Sequence, residues 1–207
     1  SSEMTHSAWY QFDSTSSQTV TFCTKWGGAS TAGNMSWFMY VQGTKIDCSF
    51  ASNTSKVTHL SSDSFASLVD TTNWFNITFT IIMGSVPKLY VNGIEKLLVY
   101  GSGTAPAGGD TFSTDAGHVV FGGFDSTSGL ELNGRTVYHQ LFDRALTQPE
   151  IYEIMYKPGS IRENMISFQT MLGDSGTSEK EIFKGRTGTV INGAEFSDGP
   201  PIAGVSL

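Results

Sequence analysis

The sequence predicts an all-β fold, an antiparallel β-sandwich of jelly-roll type carrying one short helix. Short runs rich in aromatic and β-branched residues recur along nearly the whole length. Gly, Asn, Asp or Ser clusters bound each run, so turns are closely spaced. Helical periodicity is clear in a single short segment near 147–156, which argues against alternating βαβ units.

The predicted strands, in order, are 8–12, 19–26, 36–42, 45–51, 74–83, 88–91, 97–100, 119–122 and 136–142. Gln42-Gly43-Thr44 and Asn92-Gly93 read as tight hairpin turns, because Asn and Gly tolerate positive φ. Asn133-Gly134 and Asn192-Gly193 repeat the second signal. Between 101 and 117 the Gly/Ala/Ser-rich sequence predicts a long loop.

The helix is marked by Thr147-Gln148-Pro149-Glu150, a capping box with proline in the first turn. Ile151, Ile154 and Met155 then recur at the spacing of one buried face, and Lys157-Pro158-Gly159 ends the segment. This places a short helix over one end of the sandwich. Residues 1–159 are thus expected to form the jelly roll. Residues 160–207 are too few to bury a core of their own and read as a C-terminal arm, completing the sandwich or docking on a partner.

Of 207 residues only 15% are charged, while 26 Ser, 23 Thr and 23 Gly fill the polar positions. With 39% hydrophobic and 12% aromatic residues there is ample material for a core. A net charge of -7 gives no basis for gripping a phosphate backbone, so nucleic acid is excluded as a partner. No apolar run approaches the ~20 residues of a membrane span. Strict alternation puts Cys23 on a polar face and Cys48 on an apolar one, which predicts two free thiols. Sequons at Asn34, Asn53 and Asn76 are no more than chance supplies in so Thr/Ser-rich a chain.

One series of segments resembles a known family. Trp9-Tyr10, Thr24-Lys25-Trp26, Trp74-Phe75-Asn76-Ile77-Thr78-Phe79-Thr80, the hairpin Lys88-Leu89-Tyr90-Val91-Asn92-Gly93 and Val119-Val120-Phe121-Gly122-Gly123 follow at the expected intervals. Leu141-Phe142-Asp143-Arg144-Ala145-Leu146-Thr147-Gln148-Pro149-Glu150-Ile151 closes the series. Over residues 7–156 this resembles the LamG-like jelly roll of the concanavalin A-like lectin/glucanase superfamily. The resemblance implies two antiparallel sheets, a frequent role in binding glycans or proteins, and often a calcium ion. The family's usual first strand is missing before Ser7, while 166–174 with 185–189 resembles such an opening placed at the C-terminus. The arrangement also resembles structural proteins of tailed phages and other viruses.

Glucanases of the superfamily carry Glu-x-Asp-x-x-Glu on one strand, and no such string is present. Glu131-Leu132-Asn133 offers an amide where a carboxylate is needed. There is no nucleophile elbow, phosphate loop or His-Glu-x-x-His, and His6, His59, His118 and His139 lack ligand spacing, so catalytic residues and zinc are not expected. Calcium suits loop oxygens, and the loop acids are Asp63, Asp110, Asp115 and Asp125, each of which serves equally as a turn former. A sugar platform needs an aromatic face beside a hydroxyl-binding polar group. Trp26, Tyr100 and Phe124 with Asp125 fit that description, whereas Trp9, Trp37 and Trp74 lie within strand patterns and read as core.

The expectation is a non-enzymatic β-sandwich exposed on a virion or outside a cell, in its first form a capsid decoration or tail component. The arm would then tie subunits into a homo-oligomer, such as a trimer, or bind other capsid proteins. The alternative is an extracellular lectin-like adhesion module that binds glycan. A glycan-active enzyme stands third.

Overall fold

The computed structural model describes residues 1–16, 18–26, 35–53, 57–103, 107–112, 118–123, 130–171, 178–180, 187–189 and 200. The elements run β1 Glu3–Phe12, β2 Gln18–Trp26, β3 Met35–Gly43, β4 Lys45–Ala51, β5 Val57–Ser64, α1 Phe65–Leu68 and β6 Phe75–Ile82. They continue β7 Lys88–Val91, β8 Ile94–Lys96, β9 Val99–Gly103, β10 Val119–Phe121, β11 Gly134–Phe142, α2 Gln148–Tyr156, β12 Met165–Gln169, β13 Ser178–Lys180 and β14 Thr187–Thr189.

Two six-stranded antiparallel sheets form the sandwich, in the orders β12-β11-β1-β6-β7-β8 and β10-β2-β3-β4-β5-β9. β13 and β14 pair as a separate ribbon. Period-two alternation aims Ala8, Tyr10 and Phe12 of β1 and Ile77, Phe79 and Ile81 of β6 into the same core as Trp37, Met39 and Val41 of β3. The largest rings meet edge to face, with Tyr10–Phe22 centroids 5.0 Å apart and Phe12–Phe65 4.9 Å. Such pairs add about 1 kcal/mol to the area each ring buries.

The first sheet is covered on its outer face as well. Ile151 and Ile154 of α2 share a cluster with Tyr90, Val137, Phe142 and Phe168, so the helix lies across that sheet rather than over an end of the sandwich. The predicted capping box is present, with the Glu150 carboxylate accepting from the Thr147 N–H and hydroxyl, both at 2.8 Å. Trp37 is core, whereas Trp9 and Trp74 are half-buried against the helix cluster.

β1 begins at Glu3, five residues ahead of the predicted strand 8–12. Its front half, Thr5-His6-Ser7, is polar yet fully buried, which hid it from a hydrophobicity reading. β5 was not foreseen for the same reason, since Val57–Ser64 is mostly Ser, Thr, His and Asp. At Asn92-Gly93 both residues have positive φ, 51° and 76°, as a two-residue hairpin requires. Asn133-Gly134 is not a hairpin, because Gly134 opens β11 beside Phe12. Asn192-Gly193 lies outside the described residues. The loop expected at 101–117 starts later, since β9 runs to Gly103.

Both cysteines are free and fully buried in the same core. Cys23 therefore does not sit on a polar face. A bulge between Thr21 and Cys23 breaks the alternation and turns both Phe22 and Cys23 inward. Cys23 pairs with Met39 and Met39 with Cys48, so the thiols stand two strand spacings apart. That is about 10 Å, beyond the ~7 Å Cα limit for a disulfide.

Candidate functional site

The outer face of the second sheet gathers aromatic and hydrogen-bonding groups. Phe38 and Tyr40 of β3 point away from the core because they alternate with Trp37, Met39 and Val41. Their rings stack with centroids 4.0 Å apart and planes 7° from parallel. Register then builds two rows. Thr21, Tyr40 and Asp47 face one another across β2 to β4, and so do Thr24, Phe38 and Ser49. The Tyr40 hydroxyl lies 3.4 Å from the Ser49 hydroxyl. Burial raises the Tyr40 phenol above its ordinary value, the Ser49 contact pulls it back, and the Asp47 carboxylate pushes it up again. At neutral pH the platform thus presents a neutral phenol beside Asp47.

The pair is not open to solvent. Phe38 is 9% exposed and Tyr40 8%, and Leu130 packs against them. Leu130 is held there by its carbonyl, which accepts from the Thr21 N–H at 3.0 Å.

The residues singled out from sequence do not converge. Trp26 ends β2, and Tyr100 lies 42% exposed on the edge strand β9. Four strand spacings separate β2 from β9 in the sheet order, about 19 Å. Phe124, Asp125 and Asp115 lie outside the described residues. Asp110 is drawn into a local turn, where its carboxylate accepts from the Ala107 N–H at 3.0 Å. Asp63 is part of β5 rather than a loop. Among the described residues no group of three or more His, Cys, Asp or Glu is placed to hold a metal.

Two groupings escaped the sequence reading. One is Phe38, Tyr40, Asp47 and Ser49, which a strand pattern hides because only pairing between strands brings them together. The other is a histidine pair inside the sandwich. His6 of β1 and His139 of β11 are fully buried, with Nε2 of His6 3.1 Å from Nδ1 of His139. Register places His6 against Leu141, two residues from His139, yet 133 positions of sequence separate the two histidines.

Solved structures share the architecture. A "putative carbohydrate binding protein" from Bacteroides ovatus ATCC 8483 superposes with a TM-score of 0.66 at 14% identity, over 91% of this chain and 51% of its own. Domain 4 of AbnA, a GH43 extracellular arabinanase from Geobacillus stearothermophilus solved with arabinotriose, gives 0.51 at 16% identity, over 74% of this chain and 66% of its own. The chain thus spans about half the first structure and two thirds of the second, and at these identities the likeness is one of fold. No curated protein matches the sequence. A family model matches residues 1–152, most of the chain and nearly all of the sandwich, and by that match the chain belongs to the concanavalin A-like lectin/glucanases superfamily.

Proposed function

We propose that the chain is a carbohydrate-binding module that acts without catalysis. The observation that carries this reading is the stacked Phe38–Tyr40 pair with Asp47 and Ser49 beside it on one sheet face. An aromatic face takes the C–H side of a pyranose or furanose ring, and a carboxylate and hydroxyl take its OH groups. Asp47 is the one carboxylate among the described side chains of that face, whereas glycoside hydrolysis ordinarily takes two, roughly 5–9 Å apart. A sugar seated there takes the place of Leu130.

The two structures described above favour this reading by what their names state of them, a "putative carbohydrate binding protein" and a domain in complex with arabinotriose. Neither name speaks of a virus particle, so the virion reading is set below this one. An extracellular setting accompanies the proposal, and no described helix is long and apolar enough to cross a membrane. Calcium on loop acids stays a proposal with its own check, since a chelator that leaves the melting temperature unchanged removes it. Residues 160–207 stay a proposed extension, whose first strand β12 is hydrogen-bonded to β11.

The test is calorimetry of the full chain against neutral oligosaccharides, arabinotriose among them, with Tyr40→Ala and Asp47→Asn beside the wild type. Saturable binding that both substitutions weaken at least tenfold, with folding intact by circular dichroism, is the expected result. No binding to any neutral glycan, or binding indifferent to both changes, overturns it.

A further inference from the structure

The buried histidine pair is joined in one short chain of hydrogen bonds. The Thr136 hydroxyl lies 3.0 Å from the Trp9 carbonyl and 2.8 Å from Nε2 of His139. Nδ1 of His139 lies 3.1 Å from Nε2 of His6, one of the two nitrogens donating to the other. Nδ1 of His6 is fully buried and without a partner. Whichever way the bonds run, a protonated pair carries a hydrogen on that nitrogen, where no acceptor meets it, or breaks one of the two hydrogen bonds to His139.

Among the described residues nothing around the pair compensates a positive charge. From β1 it is faced by Tyr10, 5.8 Å from His139 and edge-on. From β11 it is faced by Thr136, and from β10 by Phe121, whose ring lies 4.3 Å from His139 and 5.7 Å from His6. β2 contributes Cys23, the register partner of Phe121, a thiol that burial holds protonated. Among the described residues neither histidine has a hydrogen bond, ion pair or electrostatic contact with Asp, Glu, Lys or Arg. Burial accordingly holds His6 down to about 3, and burial with the His6 charge holds His139 well below its ordinary value.

The weakest wall of this chamber is β10. It is three residues long, forms an edge of its sheet, joins β2 through three register pairs and leaves Val119 39% exposed. We propose that the His6–His139 pair is an acid latch: protonation at mildly acidic pH releases β10 from β2 and opens that edge while the rest of the sandwich stays folded. Phe121 leaves the imidazoles, water enters, and the new charge is hydrated.

Release has a route to the platform. The Gly122 N–H donates to the Phe22 carbonyl at 3.0 Å, and the Gly122 carbonyl accepts from the Leu132 N–H at 2.8 Å. Leu132 is two residues from Leu130, the side chain over Phe38 and Tyr40. Acid would therefore loosen that cover. This last consequence rests on the sugar-binding reading, whereas the latch does not.

Cys23 lies on β2 beside β10, in register with Phe121, and Cys48 two strands further in, so the native thiols report the opening without any sugar present. The full chain is labelled with dithiodipyridine, which reacts in acid, at about pH 7.5 and about pH 5, with rates corrected by a free thiol. Exposed histidine of ordinary pKa near 6.5 raises the open population about 30-fold per residue over that interval. The expected result is labelling of Cys23 at least 30-fold faster at the lower pH, with Cys48 still protected, and loss of the effect in His6→Leu/His139→Leu. Exchange of the Gly122 amide in the wild type gives a second reading that needs no variant, and its protection should fall in step. A Cys23 rate that does not change with pH, or Cys23 and Cys48 reacting together, overturns the latch.

Discussion

Arg144 grips Glu150 with both ends of its guanidinium, Nη2 at 2.7 Å from Oε1 and Nη1 at 3.1 Å from Oε2. Glu150 also accepts from Thr147, so a single carboxylate ties the end of β11's connection to the first turn of α2. This gives a physical reason for the spacing in Arg144-Ala-Leu-Thr-Gln-Pro-Glu150. The Arg144 hydrogen bonds, with help from Thr147, hold the Glu150 carboxyl down to about 2.

Glu150→Gln is therefore expected to lower stability by about 1–2 kcal/mol in denaturant titration at neutral pH. The folded carboxyl is held below its unfolded value, so its contribution is complete above roughly pH 4.5 and is lost as pH falls toward 2. Wild type and variant should consequently converge in stability at the acid end. A gap that persists unchanged there would contradict the assignment.

Gly93 is irreplaceable for two independent reasons. Its φ is 76°, and a Cβ there would run into the ring of Tyr152, while Gln148 donates to its carbonyl at 3.1 Å. Gly93→Ala should cost about 2 kcal/mol or more. Adding Tyr152→Ala should recover the steric part and leave the φ strain, a split that a double-mutant cycle in urea would show.

The two thiols should be silent in the native protein at neutral pH. Burial raises both above the ordinary thiol value, and no base or cation activates either. Titration with a thiol reagent is expected to count none in buffer and two per chain in denaturant. Fast labelling of either at neutral pH would place it outside the core.

Asn76 is a buried junction rather than a surface acceptor. Its Nδ2 donates to Ser7 Oγ and the Ala8 carbonyl, each at 3.2 Å, and its Oδ1 accepts from Thr78 at 2.9 Å. Asn76→Ala should destabilise by about 2–3 kcal/mol, through partners left unsatisfied in a dry interior. Enzymatic glycan addition to the folded chain at this sequon is expected to fail, which mass spectrometry would show.

The sequence displayed the sandwich because aromatic and β-branched runs report burial directly, as in Phe75–Ile82 and Lys88–Val91. It concealed strands whose residues are polar, such as Val57–Ser64, since pairing rather than hydrophobicity puts those there. The helix was legible to its cap because Thr147 and Glu150 are local to each other. The platform and the histidine pair were not, because each depends on strand register, within the β3–β4 pair for the platform and between strands far apart in the chain for the histidines. Tyr40 meets Asp47 across the β3–β4 pair, and His6 meets His139 across the adjacent strands β1 and β11, 133 positions apart in sequence. A bulge of one residue at Phe22 was enough to reverse where Cys23 points.

The short crossing from Ile94 to Tyr100 joins the open margins of both sheets, with Leu97 71% exposed and Val99 57%. Open margins with apolar side chains invite neighbouring molecules to add strands and grow fibres. Here β8 ends after three residues, and the partner register of β9 jumps past Gly101, so neither margin offers a long straight template. The kinks that make these strands poor builders of sheet thus act as a guard on solubility, and straightening β9 would trade a firmer edge for a stickier protein.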